Sequence, residues 1–214
     1  MLETLKTPWL QPGETLVCFG DSITAAANGY VSMLQEKLIP AGINVIQAGL
    51  GGDKTPAALT RLTTDVAVHK PDAVSIFFGT NDAAIGRWVW ADEPLVDPVT
   101  YCDNLCWIVH LLKLHHQVKK FSIATPMWKV EGNDYHFYGD IFPAYHLKAR
   151  QAADRMNTLL VPLDTVFERA TLESADRRDP ESGLLFTTDG MHPTPEGYKL
   201  IADTMLKTWC MDKL

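Results

Sequence analysis

Hydrophobic positions along this chain follow two alternating periods. Near-continuous apolar runs, rich in β-branched residues, fall at positions 16–19, 43–46, 73–78, 121–124 and 159–161. Runs of that length without polar alternation suit strands covered on both faces. Between them, apolar residues recur at helical spacing. Leu59, Leu62 and Val66 follow Thr55-Pro56, which reads as an N-cap and a first-turn proline. Val99, Cys102, Leu105, Val109 and Leu112 form one apolar stripe; Tyr198, Ile201, Met205 and Trp209 form another, introduced by Thr194-Pro195. This alternation predicts an α/β fold, a three-layer α/β/α sandwich around a central parallel sheet of about five strands. No repeat, low-complexity tract or compositional break interrupts residues 1–214, so one domain is expected.

In such sheets, ligands bind beyond the carboxyl ends of the strands. The first run ends on Gly20-Asp21-Ser22, the second on Gly49-Leu50-Gly51-Gly52-Asp53-Lys54-Thr55, and the third on Gly79-Thr80-Asn81-Asp82. A further polar turn, Thr188-Asp189-Gly190-Met191-His192-Pro193, precedes the last helix. Taken singly, each is ordinary turn chemistry. A dinucleotide fingerprint at 49–54 fails because Lys54 stands where a third glycine must allow helix–strand packing. A P-loop fails because Asp53 precedes Lys54-Thr55 and would repel phosphate.

Composition narrows the field. The chain is 46% hydrophobic and 21% charged, ordinary for a globular protein. A formal net charge of −7 argues against a nucleic-acid or anionic-membrane surface. No window approaches the ~20 apolar residues of a membrane span. The first residues lack a secretory-leader pattern, so a cytoplasmic location is expected. Cysteines at 18, 102, 106 and 210 do not form a disulfide framework. Cys102, Cys106 and His110 share one helix face, which is read as core packing rather than a metal site.

Nucleophilic catalysis needs a hydroxyl or thiol, a base within reach and a group that orients the base. Gly-x-Ser-x-Gly does not occur. His69, His110, His115 and His116 fall on or beside predicted helices; His136 and His146 fall in an aromatic loop within reach of a ligand. His192 lies in a turn with a carboxylate, Asp189, three residues earlier. Ser22 is then the candidate nucleophile, His192 the base and Asp189 its orienting acid. Backbone N–H groups in the glycine turn at Gly52 and the amide of Asn81 are candidate donors to a developing oxyanion.

Phe19-Gly20-Asp21-Ser22-Ile23-Thr24, the 51–55 turn, Gly79-Thr80-Asn81-Asp82 and Asp189-Gly190-Met191-His192 together resemble the sequence blocks of the SGNH (GDSL) hydrolases. The resemblance implies a flavodoxin-like fold and a carboxylic ester hydrolase working without metal or cofactor. Its triad would be Ser22, His192 and Asp189, with the Ser22 and Gly52 N–H groups and Asn81 as the oxyanion hole. Within the family, residues 74–83 and the helix at 101–112 are most similar to isoamyl-acetate-hydrolysing esterases, while the 51–55 turn is closer to bacterial acylhydrolases. Asp21, Asp82, Trp88 and Trp128 are expected as supporting or pocket-lining residues.

The expected partner is a small-molecule ester. Two long connections, 83–98 and 127–145, are aromatic; the second holds Trp128, Tyr135, Phe137, Tyr138, Phe142 and Tyr145. These side chains suit an apolar pocket wall or, equally, a homo-oligomer contact, and a sugar platform is a third option. Carbohydrate O-acetylesterase and thioesterase or lysophospholipase activities therefore stand as alternatives. A non-catalytic binding module is disfavoured, because a degenerate copy has no need of all five residue types.

Overall fold

The computed structural model describes residues 7–83, 94–127 and 141–214. Five strands make one parallel sheet in the order β2-β1-β3-β4-β5. They are β1 Thr15–Gly20, β2 Asn44–Gly49, β3 Ala73–Phe77, β4 Lys120–Ala124 and β5 Leu159–Val161. The helices are α1 Ser22–Ala25, α2 Tyr30–Leu38, α3 Thr55–Thr60, α4 Pro98–His116, α5 Phe142–Met156, α6 Leu163–Glu173 and α7 Pro195–Thr208.

Strand side chains alternate between two cores. Val17 and Phe19 pack with Val74, Ile76 and Ile123 beneath Leu105 and Val109 of α4 and Tyr145 and Ala149 of α5. Leu16 and Cys18 point the other way, into a cluster with Tyr30 and Leu34 of α2, Phe167 of α6, and Ile201 and Met205 of α7. Both faces of the central strands are therefore covered, which is why they read as near-continuous apolar runs. Each buried Leu, Ile or Phe contributes on the order of 1.5–3 kcal/mol. From β1 the chain first adds β2 on one side and then β3 on the other, so strand order reverses beside the carboxyl end of β1.

At that reversal α1 sits directly against the sheet. A Cβ added at Gly49 would lie 2.3 Å from the Ala25 nitrogen, and one at Gly20 would lie 2.1 Å from Thr24 Oγ1 and 2.6 Å from the Phe77 carbonyl. The glycines at the ends of β1 and β2 thus make room for the short helix that carries Ser22.

Several sequence expectations are corrected. The second strand runs over 44–49 rather than 43–46, because Ile43 N–H bonds back to the Leu38 carbonyl while Gln47 and Gly49 go on pairing with β1. Thr55 is not an N-cap: Lys54 takes that position without a capping side chain, and Thr55 is the first helical residue. The helix expected to carry Leu59, Leu62 and Val66 stops at Thr60, followed by a wider π-helical turn at Leu62–Val66. Val99 leaves the α4 stripe, being 56% exposed in the first turn, while Tyr101 and Ile108 are buried. Phe142, Tyr145 and His146 belong to α5 rather than to an aromatic loop, because Phe142, Tyr145, Ala149 and Ala152 bury one helical face. Trp88, Trp90, Trp128, Tyr135, His136, Phe137 and Tyr138 lie outside the described residues.

Gly49→Ala tests the seat of α1. The added methyl meets backbone, which cannot swing aside, so stability should fall by about 1–3 kcal/mol. A urea titration checks this; an unchanged midpoint would show that α1 is not held against the strand end.

Candidate active site

Ser22 opens α1 immediately beyond β1. Asp21 is the N-cap, its Oδ1 accepting the Ile23 N–H at 3.0 Å. That contact fixes the turn in which Ser22 leaves the strand. His192 arrives from the far end of the chain. Its turn is a narrow antiparallel pairing of Thr187 with Pro193, closed by Thr188 N–H to the His192 carbonyl (2.8 Å) and Thr194 N–H to the Phe186 carbonyl (2.8 Å). Met191 anchors it with a buried side chain, and Thr194 caps α7 through the Gly197 N–H.

This turn places His192 Nε2 3.3 Å from Ser22 Oγ and His192 Nδ1 2.8 Å from Asp189 Oδ2. Asp189 Oδ1 also accepts the N–H groups of Met191 (2.9 Å) and His192 (2.7 Å). Partial burial pulls the Asp189 carboxyl upward, but the hydrogen bonds from the His192 ring and these two amides outweigh it and hold it below its usual value. An ionised Asp189 fixes the ring with Nδ1 as donor, leaving Nε2 to accept from the serine hydroxyl.

The loops after β2 and β3 lie together. Gly52 sits in the β2 loop at φ +77°, a left-handed conformation that a side chain would strain. Asn81 is buried, and its Nδ2 donates to the Asp53 carbonyl at 2.9 Å. Asp82 is buried, and its Oδ1 accepts both the N–H (3.0 Å) and the hydroxyl (2.5 Å) of Thr55. Asn104 of α4 donates to that same Thr55 oxygen at 3.1 Å. Asp21 is likewise buried, as the cap of α1. Of the other sequence candidates, Trp88 and Trp128 fall outside the described residues. His146 is buried on α5, with Nδ1 3.8 Å from Asp164, which is itself paired with Arg150. His69, His110, His115 and His116 are exposed. Among the described residues no group of three or more His, Cys, Asp or Glu is arranged to hold a metal ion.

Sequence reasoning missed Arg61. Its Nε pairs with Asp53 Oδ2 at 2.7 Å, Nη1 donates to the Ala48 carbonyl at 3.0 Å, and Nη2 donates to the Gly20 carbonyl at 2.9 Å. The guanidinium also lies 4.4 Å from the Phe19 ring centre. One planar side chain thereby ties the ends of β1 and β2 to the Gly52 loop. A charged residue amid Leu59, Leu62 and Val66 reads as a solvent-facing one, so the local pattern carried no signal for its role. Thr55 and Asn104 carried no signal, since their roles arise from contacts across the fold.

Burial pushes the Asp21 carboxyl up to about 7, helped by the charges of Asp82 and Asp53 and opposed by the Ile23 amide. Burial pushes Asp82 up to about 6 against the Thr55 hydrogen bonds. Between about pH 4 and 7 the folded chain therefore keeps protons that the unfolded chain releases. Their contribution to stability is present in full below about pH 4 and is lost as pH rises through 6 and 7. Asp21→Asn keeps the capping oxygen but cannot ionise. Compared by urea unfolding at pH 5 and pH 8, the variant should gain on the wild type at the higher pH by on the order of 1 kcal/mol or more. Identical pH dependence in the two proteins would contradict an ionisable buried Asp21.

The comparisons with known proteins agree with this architecture. Residues 18–200 match the GDSL-like lipase/acylhydrolase family. An acetylxylan esterase from Geobacillus stearothermophilus is 28% identical over 91% of this chain and 93% of its own. An arylesterase from Vibrio mimicus is 27% identical over 90% of this chain and 86% of its own. Among solved structures, the Geobacillus stearothermophilus acetylxylan esterase superposes with a TM-score of 0.77 at 25% identity, covering 94% of this chain and 95% of that one. An α/β-hydrolase enzyme from the metagenome of Lake Arreo superposes with a TM-score of 0.82 at 23% identity, covering 96% and 99%. With the serine, the histidine and the Gly-rich loops gathered where the strand order reverses, the chain belongs to the GDSL-like lipase/acylhydrolase family of the SGNH hydrolases and is a carboxylic ester hydrolase.

Proposed function

We propose that the protein hydrolyses esters of short acyl groups, acetyl above all, through a covalent acyl intermediate on Ser22. The observation that carries this reading is the continuous contact from Asp189 through His192 to Ser22 Oγ, at 2.8 and 3.3 Å. His192 Nε2 takes the serine proton as Oγ bonds to the ester carbonyl carbon. The carbonyl oxygen becomes an oxyanion, met by the N–H groups of Ser22 and Gly52 and by Asn81. Because Asn81 gives one amide hydrogen to the Asp53 carbonyl, the group is already oriented and its second hydrogen meets the oxyanion without reorganising. His192 then protonates the departing alcohol, and water repeats the sequence on the acyl-enzyme.

Two likenesses within the family favour acetyl. Residues 74–83 resemble isoamyl-acetate-hydrolysing esterases, and the acetylxylan esterase matches over nearly the whole chain. They differ in the alcohol, a small aliphatic in one case and a sugar in the other. The second name favours a carbohydrate O-acetylesterase as the alternative reading.

A panel of p-nitrophenyl esters of increasing acyl length, acetylated xylose and acyl-CoAs tests the substrate class. The rate should fall at least about tenfold from acetyl to octanoyl, as for a pocket that rejects added methylenes. Faster turnover of the long esters or of acyl-CoA would replace the acetyl reading with a lysophospholipase or thioesterase. Asn81→Ala should lower kcat about 100- to 1,000-fold. Ser22→Ala should abolish all but a trace of the rate, and full activity in that variant would remove Ser22 as nucleophile.

A further inference from the structure

We infer that Asp82 is a positioning residue: its carboxylate, acting through Thr55 with Asn104 behind it, fixes the Gly52 loop in register with Asn81. This rests on the reading of Gly52 and Asn81 as oxyanion donors given above. Two rungs join the β2 loop to the β3 loop. One runs from Asn81 Nδ2 to the Asp53 carbonyl at 2.9 Å. The other is the pair of bonds from Thr55, N–H at 3.0 Å and hydroxyl at 2.5 Å, to Asp82 Oδ1. A single rung would let the loop pivot about it. A second rung, two residues along one loop and one along the other, removes that rotation.

The donor directions make the arrangement specific. The Thr55 hydroxyl has one hydrogen, and Asn104 Nδ2 already donates to its oxygen. The hydroxyl hydrogen is therefore left to Asp82, giving a relay from Asn104 through Thr55 to the carboxylate. Above about pH 6 this acceptor is ionised, and bonds to an ionised acceptor are the stronger kind. The end of this relay is enclosed: Thr55 and Asp82 are fully buried. The cost is visible as well. Asp82 Oδ2 is buried without a hydrogen-bond partner among the described residues. The carboxylate directly follows Asn81, and Thr55 lies three residues beyond Gly52. Moving this rung therefore moves one oxyanion donor against the other.

The test uses the full chain with Thr55→Val, Thr55→Ser and Asn104→Ala, each checked for folding by thermal melting. Thr55→Val removes the hydroxyl at nearly constant volume and leaves the N–H bond. It should lower kcat on p-nitrophenyl acetate at least about tenfold with KM within about twofold, as expected when transition-state contacts alone are misplaced. Thr55→Ser should restore most of the rate, and Asn104→Ala, the mildest change, should lose about threefold. A turnover-independent arm follows the Asn81 side-chain amide and the Gly52 backbone amide by 1H–15N NMR. Both should shift in Thr55→Val and return in Thr55→Ser. If folded Thr55→Val keeps kcat within about twofold, or loses only KM, or leaves both resonances in place, the positioning role is wrong. Should Ser22→Ala keep wild-type activity, the proposed function fails instead, and the resonances still decide the role of Asp82.

Discussion

Past the carboxyl ends of β1, β2 and β3 the backbone leaves the sheet and loses its ladder partners, and everything at the site depends on how those groups are held again. Buried amides and carbonyls cannot be left unpaired cheaply. The chain answers with side chains drawn from other elements. Arg61 takes the carbonyls of Gly20 and Ala48 together with Asp53, Asn81 takes the Asp53 carbonyl, and Asp82 takes Thr55. Two strand ends and two loops become one body. The turn that carries Ser22 is fastened to the same body because α1 rests on Gly20 and Gly49.

Holding polar groups inside the fold has an electrostatic consequence. Asp21, Asp53 and Asp82 all enter the interior beneath the strand ends, and burial raises all three carboxyls above their ordinary value. For Asp53 the Arg61 guanidinium opposes that rise. Asp189 goes the other way: it is half exposed, and the His192 ring and two amides keep it ionised. The carboxylate in contact with the His192 ring is the one left near water, while those that shape loops are buried.

Much of this was legible beforehand. Continuous apolar runs marked the five strands because both faces of a parallel sheet are covered, and glycine, acid, hydroxyl and amide residues at successive strand ends marked the site. Thr194 was recognisable as a cap because its partner, the Gly197 N–H, lies three residues away. Thr55-Pro56 shows the same local pattern, yet the threonine serves Asp82, 27 residues distant, and no local pattern distinguishes those fates. Arg61 was hidden for a related reason, since its acceptors are backbone carbonyls on separate strands. Aromatic content misled around Phe142 and Tyr145: a run of rings resembles a pocket wall until the spacing of Ala149 and Ala152 is added, which turns them into a buried helix face.

The proposed mechanism requires that Ser22 be activated by His192, 170 positions away in the chain. Treatment with a fluorophosphonate, followed by peptide mass analysis, addresses that pairing directly. The expected result is a single adduct on Ser22 that forms rapidly in the wild type and is all but lost in His192→Ala with the fold intact. An adduct on another residue, or labelling of Ser22 that proceeds undiminished without His192, would contradict it.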